Sequence, residues 1–331
     1  MTSPEEARSS SLLLWAVDVG NWEPGADEWE RCLDALGTAA GADEERARIA
    51  RFRRPLRGTD DETVWLEGRA NPDARSALVG RLLLVAAARA LVPGTRAVPC
   101  ARTPHGRPYY TGAWLQEQQM QWWCPNANVS HHGRWVVLAA DTRAVVGVDV
   151  LRRECRGAAP ADYVAAMARS TLTARETGQT RRWPLEVGAH TTLGPADALL
   201  DAFCTTWALK EALVKAHGEG LAFDVQRADF CFAHEHAVVE DTHGRVVRPV
   251  GAALAIEGRT QPPHRYAFRV YSPDTEHVVA LCRAAPAAVA PELQNTFPTQ
   301  PLTLPETLPP APWPSLRVFP SVSDLLHEYR D

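Results

Sequence analysis

Residues 207–221 read WALKEALVKAHGEGL and close a long helical pattern that begins near residue 194. Pro195 in the first turn and Gly218 just past the last one mark the two ends of the predicted helix. Glu211 and Lys215 are four residues apart, so they lie on one face of this helix. On a solvated face such a pair is an ordinary ion pair worth roughly 0.2–0.5 kcal/mol.

The use of lysine singles out the same helix. Of the 35 basic residues in the chain only two are lysines, Lys210 and Lys215, and both lie in this segment. In a sequence that otherwise uses arginine, a lysine indicates a position where a compact ammonium is needed and a planar guanidinium does not serve. We therefore treat Glu211 and Lys215 as candidate functional residues on a rigid support.

Residues 144–150, AVVGVDV, predict a buried strand that carries Asp149 near its end. Gly147 allows another backbone or a ligand to approach this strand closely. A carboxylate in this position is a candidate ligand for a hard metal ion. A strand-end aspartate that caps a turn is the alternative, and the pattern alone leaves both open.

A third element is NVSH at residues 128–131. Ser130 and His131 are neighbours on a predicted strand and point to opposite faces, so they cannot form a nucleophile–base hydrogen bond. The chain also lacks a GxSxG motif, which argues against a serine hydrolase. His131 is better placed to donate to a phosphate, with a structural histidine as the alternative.

Two arginines flank a turn with the sequence RTPHGRP, residues 102–108. The guanidinium groups of Arg102 and Arg107 around such a turn suit the capture of a phosphate. Arg48 and Arg75 are further candidates, although any one of these arginines alone can be a surface charge.

The rest of the chain predicts two similar halves, each with one long helix and several antiparallel strands. In the first half we expect strands at 11–19, 97–102, 127–130 and 134–140, and helices at 27–36, 43–52 and 73–91. In the second half, short strands follow the helix at 253–257, 265–271 and 277–282. We expect residues 55–72 to form a loop. Residues 286–320 contain ten prolines, which predicts a tail without ladder or helix that either dangles or drapes over the domain.

Composition limits the class of protein. A chain of 331 residues predicts about two domains, and 45% hydrophobic residues exclude wholesale disorder. The formal charge of −5 gives no indication of bulk nucleic-acid binding. Seven cysteines without a CxxC pair indicate reduced thiols in an intracellular protein. We find neither a secretory signal nor an apolar run long enough for a membrane span, so a soluble, cytoplasmic protein is expected.

Four motifs occur in order along the chain: GRP at 106–108, NVSH at 128–131, VGVD at 146–149, and the segment 207–221. Together they resemble the 4′-phosphopantetheinyl transferases of the broad-specificity, surfactin-synthetase-activating type. The resemblance is greatest to the larger eukaryotic members, which serve fatty acid synthase and aminoadipate reductase. It covers roughly residues 12–284.

The resemblance implies an α+β fold built as a pseudo-two-fold pair of similar subdomains, each an antiparallel sheet packed on a long helix. The expected boundaries are 12–143 for the N-terminal subdomain, 144–284 for the C-terminal subdomain and 285–331 for the proline-rich tail. Coenzyme A (CoA) would bind in the cleft between the subdomains. A monomer that binds neither nucleic acid nor membrane is expected.

The resemblance also implies roles for the candidate residues. Asp149 and Glu211 would hold Mg²⁺, or Mn²⁺ in its place, on the pyrophosphate of CoA, with Glu211, Lys215 and His131 as catalytic residues. The implied CoA-binding set is Arg48, Arg75, Arg102, Arg107, Asn128, Ser130, His131, Lys210 and Lys215. Many bacterial members carry a second acid two residues after the first aspartate, where this chain has Leu151. Water can complete the coordination of Mg²⁺ there.

In the implied reaction, a serine hydroxyl of an apo acyl or peptidyl carrier protein attacks the β-phosphorus of CoA, and 3′,5′-ADP leaves. Glu211 would act as the base, directly or through a water of the metal. The acceptor serine belongs to the partner, so an activated serine is not expected in this chain.

Three other interpretations are weaker. A catalytically inactive relative would bind CoA or a carrier protein without turnover. A Mg²⁺-dependent nuclease also uses Asp, Glu and Lys, but it usually places its acid and lysine two residues apart on a strand, and the acidic net charge counts against it. His234 and His236 could form a metal pair. A P-loop nucleotide-binding site is excluded because no GxxxxGK[ST] motif is present.

Overall fold

The computed structural model describes residues 12–38, 41–55, 65–67, 71–92, 94–95, 98–111, 125–155, 157–297, 304–309 and 311–328. Over these ranges the chain has a mixed α+β fold with several small, mostly antiparallel sheets, which confirms the predicted class. Within the same ranges, no helix combines the length and the apolar character needed to cross a membrane.

The helices are α1 (Ala26–Asp34), α2 (Ala42–Ala50), α3 (Pro72–Leu91), α4 (Pro160–Thr171), α5 (Ala174–Val187), α6 (Pro195–His217), α7 (Pro291–Gln294) and α8 (Val322–Glu328). The strands of the first half are β1 (Leu12–Asp18), β2 (Arg53–Pro55), β3 (Trp65–Glu67), β4 (Cys100–Arg102), β5 (Pro108–Tyr110), β6 (Asn126–His132) and β7 (Trp135–Asp141). Those of the second half are β8 (Val145–Arg152), β9 (Ala228–Phe232), β10 (His236–Asp241), β11 (Gly244–Pro249), β12 (Ala252–Ile256), β13 (Arg259–Thr260), β14 (Tyr266–Tyr271) and β15 (His277–Ala284), followed by β16 (Arg317–Phe319) in the tail.

The N-terminal sheet has the strand order β16-β1-β7-β6 and packs against α3. Helix α3 begins where the side chain of Asn71 accepts a hydrogen bond from the amide of Asp73, with Pro72 in the first turn. Alanine and leucine cover most sides of α3, so nearly the whole helix is buried. Trp15 of β1 lies in the same core.

The C-terminal sheet has the order β14-β15-β8, and α6 packs across it. Phe203 and Leu209 of α6 lie in its core together with Phe230 and Phe268. The helix ends at Gly218, whose φ of 94° is a left-handed conformation that favours glycine. The predicted helix and its C-terminal stop are therefore confirmed.

Side chains of β6 join the two sheets by hydrogen bonds to the main chain of β8. Alternate β6 residues point at this strand because side chains repeat with a period of two. Asn126 Oδ1, Asn128 Oδ1, Ser130 Oγ and His132 Nδ1 accept from the amides of Val146, Val148, Val150 and Arg152, at 3.1, 2.9, 3.4 and 2.9 Å. We call these four bonds the β6–β8 seam. The predicted subdomain boundaries remain predictions.

The tail differs from the sequence-based expectation. Residues 317–319 form β16, which pairs in parallel with β1, and two short helices, α7 and α8, flank the proline-rich part. The ladder is possible because residues 315–319 contain no proline. Phe319, Val322 and Leu325 are buried in the core under α3. The prediction of a tail without ladder or helix was therefore wrong. The sequence analysis left open whether the tail dangles or drapes over the domain, and the structure shows that it drapes over the domain.

Two further segments depart from the sequence analysis. Trp65–Glu67 pairs with Arg53–Pro55, so the expected loop at 55–72 contains a short strand, and Pro72 already begins α3. The remainder of that expected loop lies outside the described residues, except Asn71. Helices α4 and α5 were missed. The signal for α5 was present, because Thr173 and Glu176 form a capping box at its start.

Ending the chain at residue 310 removes β16 and α8 and should destabilise the protein. Burial of each large apolar side chain contributes about 1.5–3 kcal/mol, so loss of Phe319, Val322 and Leu325 should lower the free energy of unfolding by at least about 3 kcal/mol. Urea denaturation measures this change. The control Val318→Ser alters an exposed side chain of the same strand and should have little effect. An unchanged unfolding midpoint in the truncated protein would contradict the packed position of the tail.

Candidate active site

A cleft of about 930 Å³ lies where the two halves of the chain meet. One side is formed by α3 and the turn at residues 102–108, and the other by α6 and the segment that follows it. The cleft brings together seven of the residues singled out from the sequence, namely Arg48, Arg102, Arg107, Asn128, His131, Glu211 and Lys215.

Asp149 and Lys215 form the centre of the site. Lys215 Nζ lies 2.6 Å from Asp149 Oδ1 and donates to Ser130 Oγ at 2.8 Å. The Ser130 hydroxyl in turn donates to Asp149 Oδ1 at 2.8 Å. Asp149 is buried, and its second oxygen, Oδ2, has no hydrogen-bond partner among the described residues. A buried carboxylate oxygen without a partner is costly, which indicates that a ligand completes the site.

Glu211 is half-buried on the same side of α6 as Lys215 and also lines the cleft. Burial raises the pKa of Glu211 above its ordinary value, and the negative charge of Asp149 raises it further, whereas Lys215 lowers it. Two carboxylates that repel each other, one buried and one lining the cleft, favour the arrival of a cation.

The site fits a Mg²⁺ ion that takes part of its coordination from substrate. The described residues contain no group of three or more His, Cys, Asp or Glu side chains arranged around a common metal position. Mg²⁺ is commonly held by one or two carboxylates together with waters and substrate phosphates, so a complete protein cage is not needed. The unpartnered Asp149 Oδ2 and the raised pKa of Glu211 agree with that donor set.

Gly147 allows α6 to lie directly on β8. A Cβ atom at this position would lie 2.0 Å from the carbonyl oxygen of Ala212 and 2.4 Å from the amide nitrogen of Ala216. Those two residues flank the turn of α6 that carries Lys215. The close approach of helix and strand is therefore what brings Lys215 within hydrogen-bond distance of Asp149.

His131 lies on β6 beside the seam and is exposed to the cleft. The surrounding walls partly desolvate the ring, and this lowers the pKa of His131, as does the nearby charge of Lys215. The ring is therefore neutral at pH 7 and can donate one N–H to an oxygen in the cleft.

Glu45 is a functional candidate that the sequence analysis missed. Its carboxylate accepts from Arg102 Nε at 2.6 Å and from Arg48 Nη2 at 3.0 Å, so it holds both guanidiniums at one edge of the cleft. Burial acts in the opposite direction, but Arg102 and Arg48 together keep the pKa of Glu45 below its ordinary value. The spacing of Glu45 and Arg48 on one face of α2 was the available signal.

Arg107 lines the cleft and also makes structural contacts that the sequence did not predict. Its guanidinium is buried, and it donates to the carbonyl oxygen of Lys215, to Asn126 Oδ1 at 2.8 Å and to the carbonyl oxygen of Val146 at 2.7 Å. Burial lowers the pKa of Arg107 to about 10, which still leaves it charged at neutral pH. In the structure Arg107 ties the turn at 102–108 to α6 and β8, and its predicted contact with a phosphate stays a prediction.

Lys210 does not line the cleft, so the structure does not support its predicted contact with CoA. Its side chain is completely buried, and Nζ lies 3.0 Å from Glu176 Oε2, 2.7 Å from the carbonyl oxygen of Val225 and 2.5 Å from that of Ala228. All three protons of the ammonium have oxygen partners, so none remains for a phosphate. The compact ammonium is still required, as the use of lysine indicated, but for a structural position.

The structure also shows where the side chains of Arg75, Asn128, Ser130 and His236 lie. Arg75 donates to the carbonyl oxygen of Trp22 and does not line the cleft. Asn128 and Ser130 direct their side-chain oxygens to the amides of β8 and so help to position the site, while their predicted contact with CoA stays a prediction. His236 packs edge-on against Trp183 with ring centroids 5.1 Å apart, which leaves the suggested histidine pair without support.

Comparison with known proteins gives consistent matches along the chain. The N-terminal 4′-phosphopantetheinyl transferase family model matches residues 20–143, and the model of the 4′-phosphopantetheinyl transferase superfamily matches residues 145–282. An L-aminoadipate-semialdehyde dehydrogenase-phosphopantetheinyl transferase from Xenopus laevis is 29% identical over 81% of this chain and 75% of its own length. The protein of the same name from Homo sapiens is 26% identical over 87% and 81%, and a phosphopantetheinyl transferase from a Thraustochytrium species is 28% identical over 86% and 83%.

The chain belongs to the 4′-phosphopantetheinyl transferase superfamily. Both halves match models of this superfamily, and the predicted resemblance is confirmed. Within it, the protein is a transferase enzyme that moves the 4′-phosphopantetheine arm of CoA to a carrier protein. The individual site residues are assigned from the geometry above and are taken up as proposals below.

The substitution Gly147→Ala should separate α6 from β8. Insertion of a methyl group into a closely packed contact costs about 1–3 kcal/mol, and here the methyl would meet the helix backbone, which cannot rotate away. We expect a lower melting temperature and a severe loss of transfer activity. Gly25→Ala is the control, because its added methyl meets no atom within 4 Å. Full activity in Gly147→Ala would show that this close approach does not position Lys215.

Proposed function

We propose that the cleft binds CoA with a Mg²⁺ ion held by Asp149 and Glu211, and that the acceptor is the serine of an apo acyl or peptidyl carrier protein. The convergence of Asp149, Lys215 and Glu211 beside an unpartnered carboxylate oxygen supports this proposal most directly. Carrier domains of fatty acid, polyketide, non-ribosomal peptide or aminoadipate reductase systems are the proposed acceptors. The aminoadipate reductase acceptor is supported by the names of two relatives, which are L-aminoadipate-semialdehyde dehydrogenase-phosphopantetheinyl transferases.

When bound, the metal ion would neutralise negative charge on the pyrophosphate. The chain's own residues supply the rest of the electrostatic environment. Lys215 presents an ammonium group that is fixed by two hydrogen bonds, and His131 presents a neutral ring with an N–H available for an oxygen. Donors that are already oriented stabilise developing charge without the cost of reorganisation.

Glu211 is the proposed base. The oxygen of the carrier serine forms a bond to the β-phosphorus of CoA, the bond from that phosphorus to the departing 3′,5′-ADP oxygen breaks, and the serine proton passes to Glu211. Glu211 lines the cleft on the same side of α6 as Lys215, so its carboxylate is placed to take the proton of the incoming hydroxyl.

Arg48 and Arg102 are the proposed contacts for the phosphates of CoA at the edge of the cleft. Both line it, and both are held by Glu45, which leaves further guanidinium N–H groups for a ligand. A guanidinium that is already oriented loses less freedom when it binds a phosphate.

We further propose that the protein acts in the cytoplasm as a monomer. None of the cysteines in the described ranges forms a disulfide, which agrees with a reducing compartment. Asp149, Lys215, Ser130 and Glu211 all come from one chain, so the site is assembled without a second copy.

The proposed function is tested by mass spectrometry of an apo acyl carrier protein incubated with this protein, CoA and Mg²⁺. The carrier should gain the mass of one phosphopantetheinyl group, and EDTA should prevent the gain. Asp149→Asn and Glu211→Gln, which preserve side-chain shape, should each reduce the rate at least about 100-fold. Near-normal rates in both variants would contradict the metal assignment, and CoA binding without transfer to several carriers would favour an inactive relative.

Lys215→Arg should also be severely impaired although the charge is retained. The ammonium fits between Asp149 and Ser130 at 2.6 and 2.8 Å, and a planar guanidinium is too large for both contacts. Initial transfer rates should fall by roughly 100-fold, while the control Arg227→Lys, which exchanges a surface cation paired with Glu257, should leave them unchanged. If Lys215→Arg were as active as the wild type, the claim that position 215 requires a compact ammonium would be wrong.

A further inference from the structure

The described residues contain a leucine that is fully exposed at the edge of the cleft. Leu221 has a relative exposure of 106%, so its side chain is in contact with almost nothing in its own chain, yet it borders the cleft together with Phe223 and Trp207. A single exposed leucine is common on protein surfaces and has no meaning by itself. The position of Leu221 is informative because the backbone around it is held in place next to α6.

The segment that carries Leu221 is a short 3-10 turn, Gly220–Ala222, directly after α6. The amide of Ala222 donates to the carbonyl oxygen of Glu219 at 3.3 Å, and that of Phe223 donates to Gly220 at 3.2 Å. Gly220 has a φ of 58°, and Phe223 is buried in the core of the C-terminal half. The turn is therefore anchored on its C-terminal side by an aromatic side chain.

Lys210 fixes the same segment to α6. Its ammonium binds the carbonyl oxygens of Val225 and Ala228, a few residues beyond Leu221, and it is itself held by Glu176. Residues 219–224 thus lie between two fixed points, the C-terminus of α6 and the Lys210 clamp. Because Lys210 is one residue away from Glu211 on α6, Leu221 has a set position relative to the proposed base.

Two substrates could contact this position. CoA inside the cleft would lie against the inward-facing residues of this wall, such as Phe223 and Val225. Leu221 borders the same cleft, but its side chain is fully exposed to solvent, so it lies at the opening and not on the inner wall. The second substrate is a protein whose serine must enter through this opening, so its surface covers the edge of the cleft.

We propose that Leu221 is an apolar anchor for the carrier protein, which buries this side chain when it delivers its serine to Glu211. The inference rests on the proposed function and specifies a contact surface for its macromolecular substrate. Because the backbone around Leu221 is already fixed, burial of this side chain costs little backbone ordering entropy and removes apolar surface from water. The anchor therefore acts on the affinity for the carrier protein and not on the affinity for CoA.

The test compares Leu221→Ser with Leu185→Ser in steady-state transfer to a purified apo acyl carrier protein. Leu185 is another highly exposed leucine of the C-terminal half, at 85%, and does not line the cleft, so it controls for loss of a surface leucine. Leu221→Ser should raise the KM for the carrier about tenfold, equivalent to about 1.4 kcal/mol, with the KM for CoA within about twofold of wild type. Leu221→Met should restore the wild-type value, and Leu185→Ser should change neither constant.

Thermal unfolding of all variants should match the wild type, because neither leucine packs against the chain. An unchanged KM for the carrier in Leu221→Ser would overturn the proposal. So would a parallel rise in the KM for CoA, because Leu221 would then contact the CoA arm. A wild-type protein that transfers nothing would refute the proposed function itself, whereas active wild type with an unaffected Leu221→Ser refutes the anchor alone.

Discussion

The hydrogen bonds of the β6–β8 seam are the constraint on which the site depends. Four side chains of β6 accept from alternate amides of β8, and this fixes the register between the N-terminal and C-terminal sheets. Ser130 belongs to the seam and also binds Asp149 and Lys215. The junction between the two halves and the proposed active site are therefore one connected network, and a shift at the seam would displace the catalytic groups.

Contacts with the backbone of α6 are the second constraint on the site. Gly147 removes the side chain that would separate α6 from β8, and Arg107 reaches across from the first half to the carbonyl oxygen of Lys215. Lys210, on a different face of the helix, holds the segment that closes one wall of the cleft. The two lysines of the chain thus serve two tasks, one in the proposed chemistry and one in the placement of the cleft wall.

Local signals made part of this structure predictable from sequence. The limits of α6 follow from Pro195 and Gly218, and the β-rich run around Asp149 is a buried strand. The burial of Lys210 was not predictable, because its partner Glu176 lies on another helix and no local pattern links them. The structural contacts of Arg107 were not predictable for the same reason, since its acceptors come from three other elements.

The central claim is that Asp149 and Glu211 bind one divalent cation together with the pyrophosphate of CoA. The most direct test is a crystal structure with CoA and Mn²⁺, in which anomalous scattering locates the metal. The account predicts a single peak within coordination distance of Asp149 Oδ2, the Glu211 carboxylate and phosphate oxygens of CoA. Manganese held by the phosphates alone, or CoA bound away from these two carboxylates, would contradict it.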